Sequence, residues 1–293
     1  MANNTGTSPG VAEMLRGYSI EVNPRQRKAV DAALERLGRG TEVFLSWIPG
    51  TDPMDAIEPA ARLRGAGLLP VPHIGARHLE SAAQLAELAA RLAGESGVDR
   101  ILVVGGDRAT PAGPYDSSLA VMQTGIFQKA GIIRMAIAGF PEGNPNISER
   151  ALDEALAARV SFARQHGIVL TMVTQFAFAA KPIVEYLQRL RARGFDLPVQ
   201  VGLAGPAGLI TLARYAVRCG IGNSLHVLSE HPSFAKLLTE KGPEPIIREI
   251  AAAGSGGAWP LGIAGLHFYV FGGFDKTLDW ISTVRQNTAS AYR

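Results

Sequence analysis

Short uninterrupted apolar runs alternate with stretches of helical periodicity along the whole chain. A strand buried on both faces shows no polar–apolar alternation, whereas a helix resting on a core carries an apolar stripe along one side. By these signatures strands are predicted at Tyr18–Val22, Glu42–Ile48, Leu68–His73, within Arg100–Asp107, and at Ile132–Ala138, Ile168–Gln175, Val199–Leu203 and Gly265–Phe271. Helices are predicted between them at Arg25–Leu37, Pro53–Arg64, Leu79–Leu92, Ser117–Ala130, Ser148–His166, Pro182–Arg193 and Ala207–Cys219, with Asp275–Thr283 closing the chain. Ser148 reads as a helix cap. In Pro182–Arg193 the spacing turns Ile183, Leu187 and Leu190 inward and Arg189, Arg191 and Arg193 toward solvent.

Eight strands alternating with helices, in a chain of 293 residues, favour an α/β fold of the eight-fold β/α (TIM) barrel type. The expected organisation is a flexible tail over residues 1–13, then a single domain over 14–293. Extra helices over 224–253 and a loop at Gly254–Gly257 would precede the last strand. No Gly-x-Gly-x-x-Gly turn follows the first strand, which weighs against a dinucleotide-binding sheet.

Composition changes this picture little. Apolar residues make up 47% and charged residues 19%, enough to bury a sizeable core. A net charge of +3 with scattered Lys and Arg argues against nucleic acid as a partner. The lone Cys219 excludes an internal disulfide and a Cys-based zinc cluster, and suits a reducing cytoplasm. The polar start MANNTGTSPG is unlike a secretion signal, and no uncharged apolar run is long enough to span a membrane.

In a barrel the chemistry gathers at the C-terminal ends of the strands. Those ends carry Glu21 with Asn23 and Arg25, Ser46 with Trp47, His73, Asp107, Phe140 to Asn144, Thr174 to Phe176, Gly202, and His267 with Tyr269. Plain structural roles compete at each: Glu21 as a salt bridge to Arg25, His73 as a core histidine, Gln175 as a local backbone partner, His267 and Tyr269 as barrel filling. Gly105-Gly106-Asp107, after the apolar run Ile101–Val104, is either a tight turn or a platform where a flat ligand meets bare backbone. His78, His166, His226 and His231 show no partner spacing and read as surface or packing residues. No His-x-His pair stands on the first strand and no Gly-x-Ser-x-Gly elbow occurs, so metal-assisted hydrolysis and acyl transfer are poor fits and no metal is expected.

Taken together, Ser19-Ile-Glu21-Val-Asn-Pro24, Pro72-His73, Gly106-Asp107 and Val173-Thr-Gln-Phe176 make the chain resemble the methylenetetrahydrofolate reductase family over roughly residues 15–285. The resemblance implies FAD at the C-terminal ends of a β/α barrel, tetrahydrofolate derivatives as substrates and NAD(P)H as co-substrate, in a cytoplasmic homo-oligomer. Glu21 would be the general acid and Asp107 the carboxylate beside flavin and pterin. Trp47, His73, Gly106, Asp107, Tyr115, Phe140, Asn144 and Arg159 would contact the cofactor, Arg159 standing where the family has a phosphate-binding lysine. Gln175, Thr211, Tyr215 and Tyr269 would contact the substrate, with Tyr215 covering nicotinamide or folate. The chemistry explains the acid: hydride goes to an iminium carbon that exists only after the folate ring opens, and opening requires protonation of the departing nitrogen. On this reading Glu21 and Asp107 would face one another as a pair.

The chain departs from the family at several points. Phe176-Ala177-Phe178-Ala179 lacks an acid, Gly272-Gly273 stands where an arginine for the folate tail is expected, Thr211 replaces a glutamine, and Asn144 replaces a flavin histidine. Two other functions remain open: a methyltetrahydrofolate-dependent methyltransferase barrel without flavin, and a folate- or flavin-binding protein without catalysis.

Overall fold

The computed structural model describes residues 9–48, 50–221, 242–253 and 260–290. In chain order these form α1 (Pro9–Met14), β1 (Ser19–Val22), α2 (Arg27–Arg36), β2 (Glu42–Leu45), α3 (Ile57–Gly65), β3 (Leu69–Gly75), α4 (Ala82–Gly94) and β4 (Arg100–Val104). There follow α5 (Ser118–Gln123), α6 (Ile126–Lys129), β5 (Arg134–Gly139), α7 (Glu149–Gln165), β6 (Val169–Thr174), α8 (Ala180–Ala192), β7 (Val199–Ala204) and α9 (Leu209–Cys219). After these come α10 (Glu244–Ala253), β8 (Ile263–Tyr269) and α11 (Phe274–Ser290). The eight strands are hydrogen-bonded in sequence order and close as a barrel, as the β/α alternation predicts. No described helix is long and apolar enough to cross a membrane.

Local chemistry accounts for most element ends. Ser81, Ser117 and Ser148 each accept a backbone N–H of the helix that follows, so α4, α5 and α7 start where their side-chain caps stand. The predicted helix Ser117–Ala130 is broken in two, because Gly125 adopts φ +66 between α5 and α6. The strand predicted to end at His73 continues to Gly75, so His73 lies within β3 rather than at its tip. Within the segment expected to be a flexible tail, Pro9–Met14 is helical, with Val11, Met14 and the following Leu15 fully buried; residues 1–8 lie outside the described residues. Of the helices expected over 224–253, α10 is described; 222–241 and the predicted Gly254–Gly257 loop lie outside the described residues.

Two compact units make up the chain: Ser19–Gly139 with Ser148–Val173, and Met1–Tyr18 with Phe140–Ile147 and Thr174–Arg293. In the first, Phe44, Val71, Leu102, Ala136 and Val173, one from each of β2 to β6, form a single inward cluster with Val104 packed against it. The parallel register places Glu21 opposite Phe44 and Phe44 opposite Val71. One pleat step beyond Val71, His73 lies opposite Leu102 on the same face. At the other end of β4, Arg100 donates to Asp99 and also reaches Glu42.

In the second unit Phe268 of β8 packs edge-on against Trp280 of α11 and against Tyr18, which turns its neighbours His267 and Tyr269 to the opposite face. α8 buries Ile183, Leu187 and Leu190 as its spacing predicts. Arg191, predicted to be a solvated residue, instead donates to the carbonyls of Leu261 (2.9 Å), Leu197 (3.0 Å) and Phe195. A planar fork with five N–H groups satisfies several such carbonyls at once. Gly202 of β7 gives its N–H to Thr174 Oγ1 at 2.8 Å. A Cβ at this position would press into the Thr174 carbonyl oxygen and lie 2.8 Å from the Tyr269 ring.

Two stability predictions follow from these contacts. Gly202→Ala forces backbone against backbone and is expected to cost about 2–4 kcal/mol, read as a lowered thermal unfolding midpoint. Burial alone would raise the Asp99 carboxyl, but the hydrogen bond and charge of Arg100, helped by Arg64 and Arg134, hold it below the ordinary aspartate value. A pKa lower in the folded state stabilises the fold above the unfolded value, and that stabilisation is lost as pH falls through the folded one. The midpoint difference between the wild type and Asp99→Asn is therefore expected to be full at neutral pH and to shrink below about pH 4.

Candidate functional site

In the first unit the acid expected on β1 is turned inward by its register with Phe44. Glu21 Oε1 lies 3.6 Å from His73 Nε2, with the two side chains only 16% and 13% exposed. That separation exceeds a hydrogen bond but keeps carboxylate and imidazole in electrostatic contact. His73 also meets the Phe44 ring edge-on at 5.9 Å. The competing Glu21–Arg25 bridge is not what the geometry favours, since Arg25 Nε faces Asp55 at 3.8 Å. A mostly water-shielded acid beside an imidazole is an arrangement suited to giving and regaining a proton.

Past β4 the chain turns at two glycines with different roles. Gly106 has φ +94, and a Cβ there would stand 2.8 Å from His78 Cδ2. At Gly105 a Cβ would meet nothing within 4 Å, while its carbonyl accepts the Arg77 N–H at 2.8 Å. Asp107 is not paired with Glu21. Its Oδ1 is hydrogen-bonded to His78 Nε2 at 2.7 Å, in a side chain 63% exposed.

The reason is a staple that sequence reasoning did not find. Arg77, in a short helical turn after β3, donates to the carbonyls of Arg108 (2.7 Å), Asp116 (3.1 Å) and Ala109. Its backbone exchanges hydrogen bonds with Gly105 and Ala112. The loop after β4 is thereby drawn onto the end of β3, and Asp107 arrives beside His78. His78, predicted to be a surface or packing residue, is the missed member of the site. Its available signal was position, just past the strand that neighbours β4.

Trp47 stands next to this pair, its ring 5.5 Å from His78 and its indole N–H on the Thr51 carbonyl at 3.2 Å. Tyr115 is buried in the stapled loop. Arg159 projects from α7 and is buried, its Nε on the Ala155 carbonyl at 2.9 Å and its Nη1 on the Ser118 hydroxyl at 3.2 Å. An indole suits a flat ligand, and a guanidinium held by fixed partners suits a negatively charged one.

The other predicted residues lie in the second unit. Phe140 opens the loop 140–147, in which Asn144 Oδ1 accepts the Asn146 N–H at 2.9 Å and so serves a local turn. Gln175 Oε1 accepts the N–H of Phe176 at 3.1 Å, the local backbone role weighed for it. Tyr269 donates its hydroxyl to the Thr174 carbonyl at 3.0 Å. The fully buried Phe176 meets Tyr269 at 5.6 Å and Phe271 at 4.8 Å, and Phe271 stacks on Tyr215 at 3.9 Å and 15°. Buried His267 meets Tyr269 edge-on at 4.8 Å, and Thr211 lies one helical turn from Tyr215 on α9. Phe271 joins Phe176 as an aromatic absent from the predicted set. Its signal was the period of two that it shares with His267 and Tyr269.

No family model matches the chain. An uncharacterized protein from Clostridium thermocellum, described as binding two copies of 5-methyl-5,6,7,8-tetrahydrofolic acid, has a similar structure. It superposes with a TM-score of 0.56 at 9% identity, over 92% of this chain and 94% of that one. A glycoside hydrolase family 3 β-N-acetylglucosaminidase from Paenibacillus sp. str. FPU-7 matches with a TM-score of 0.46 at 12% identity, over 96% of this chain and 59% of that one, too low to carry an argument. At 9% identity the first likeness shows a shared fold, that of the barrel described above.

Proposed function

We propose that this protein is a flavin-dependent oxidoreductase that interconverts 5,10-methylenetetrahydrofolate and 5-methyltetrahydrofolate by hydride transfer through FAD, with NAD(P)H as electron donor or acceptor. The observation that carries the reading is Glu21, an inward-facing and nearly buried carboxyl group held beside His73. The Clostridium thermocellum neighbour, described as a binder of the methylated folate, supports the folate half. The strand-end motifs that resemble the reductase family support the flavin half.

Glu21 protonates the nitrogen that departs as the five-membered folate ring opens, and His73 sits where it can return the proton. When bound, the flavin supplies hydride to the iminium carbon that ring opening creates, or takes it back in the reverse direction. Trp47, His73 and Asp107, with the glycine turn Gly105-Gly106, would hold the flavin at the end of β4. Arg159, fixed by its own carbonyl and hydroxyl partners, would face the diphosphate as a preorganised cation. Phe140, Asn144 and Tyr115 are assigned to the same cofactor. Gln175, Thr211, Tyr215 and Tyr269 are assigned to the folate, whose flat pterin suits the aromatic group built around Phe176 and Phe271.

One observation favours a second reading, a folate barrel that works without flavin. The side-chain oxygen of Asn144, a residue assigned to the flavin, is turned to its own backbone. A methyltransferase or a non-catalytic binder would then be the function. Colour separates the readings. The purified protein is expected to be yellow and to bleach anaerobically with 5-methyltetrahydrofolate and with NAD(P)H. A colourless protein that still binds the folate would establish the second reading, and a flavin that neither reagent bleaches would end the first. Glu21→Gln is expected to slow reoxidation of the reduced flavin by 5,10-methylenetetrahydrofolate by about 100-fold or more while leaving bleaching by NAD(P)H unchanged. Equal loss in both half-reactions would remove Glu21 from the role of folate acid.

A further inference from the structure

We propose that His78 is the positioning residue of Asp107, a role that deepens the flavin reading and rests on it. A carboxylate as exposed as that of Asp107 ordinarily samples several rotamers, and it holds one only where a fixed partner grips it. His78 is such a partner. Its side chain is 12% exposed, and its ring occupies a socket bounded by two glycines and an indole. A Cβ on Gly75 would stand 3.1 Å from His78 Cδ2, and one on Gly106 would stand 2.8 Å away. A side chain at either glycine would therefore crowd the ring. The socket leaves Nε2 aimed outward at Asp107 Oδ1, 2.7 Å away, and leaves the second carboxylate oxygen for a ligand at the end of β4.

Packing and positioning make opposite demands on position 78. His78→Gln keeps an N–H donor near the place of Nε2 but gives up the ring, whereas His78→Phe keeps a ring in the socket but has no donor. If His78 positions Asp107, bleaching of the flavin by 5-methyltetrahydrofolate slows about 10-fold or more in His78→Phe and stays near the wild-type rate in His78→Gln. The reverse order, or wild-type rates in both, overturns the proposal.

A second measurement does not depend on the cofactor. In ligand-free protein labelled with 15N-histidine, the hydrogen-bonded Nε2–H of His78 is expected to give a resolved proton resonance that Asp107→Ala abolishes. Absence of that resonance in the wild type overturns the positioning role even in a yellow, active protein. A resonance that is present and lost on substitution, in a protein without flavin, shows that the flavin reading alone has failed.

Discussion

The register of the parallel sheet is the constraint on which the candidate site depends. Because Glu21 lies opposite Phe44, and Phe44 opposite Val71, the acid shares the face that carries the apolar cluster. Side chains alternate across a strand, so a slip of one residue would turn Glu21 outward and bring an apolar neighbour in. The same pleat carries His73 one step beyond Val71 and brings its imidazole to the carboxylate. The cluster that holds the register and the pair that would do the chemistry are consecutive layers of one packing arrangement.

The loop after β4 is governed differently, by side chains that satisfy carbonyls. A loop of this length has few backbone partners of its own, and Arg77 supplies donors to three of its carbonyls from the end of β3. Arg191 does the same for the segment between α8 and β7 and for Leu261. Neither arginine needs an acidic partner for this role, and both explain why a scattered positive charge need not signal an anionic ligand. The two glycines after β4 divide their duties accordingly: Gly106 yields space to His78, and Gly105 gives its carbonyl to the Arg77 N–H.

The aromatic group of the second unit adds a third kind of constraint. Phe176, Tyr269, Phe271 and Tyr215 touch in series, by edge-to-face and stacked contacts that rigid rings make at small entropic cost. Tyr269 is further held by its hydroxyl on the Thr174 carbonyl, which Gly202 allows to approach. The group carries no charge of its own.

Periodicity along the chain was enough to determine the number and order of the strands, the inward faces of α8 and β8, and the serine cap of α7, because each follows from local spacing and local hydrogen bonding. It also singled out Glu21, His73 and Asp107, since a barrel brings polar strand ends to one side. It could not pair them. Glu21 was expected to face Asp107 and is instead beside His73, while Asp107 belongs with His78. The first partnership follows from the register between strands, and the second depends on where a loop is carried after its strand ends, which the fork of Arg77 decides from the turn after β3. A contact made by one side chain to carbonyls more than thirty positions away leaves no periodic trace in the sequence, so it became visible only in the folded chain.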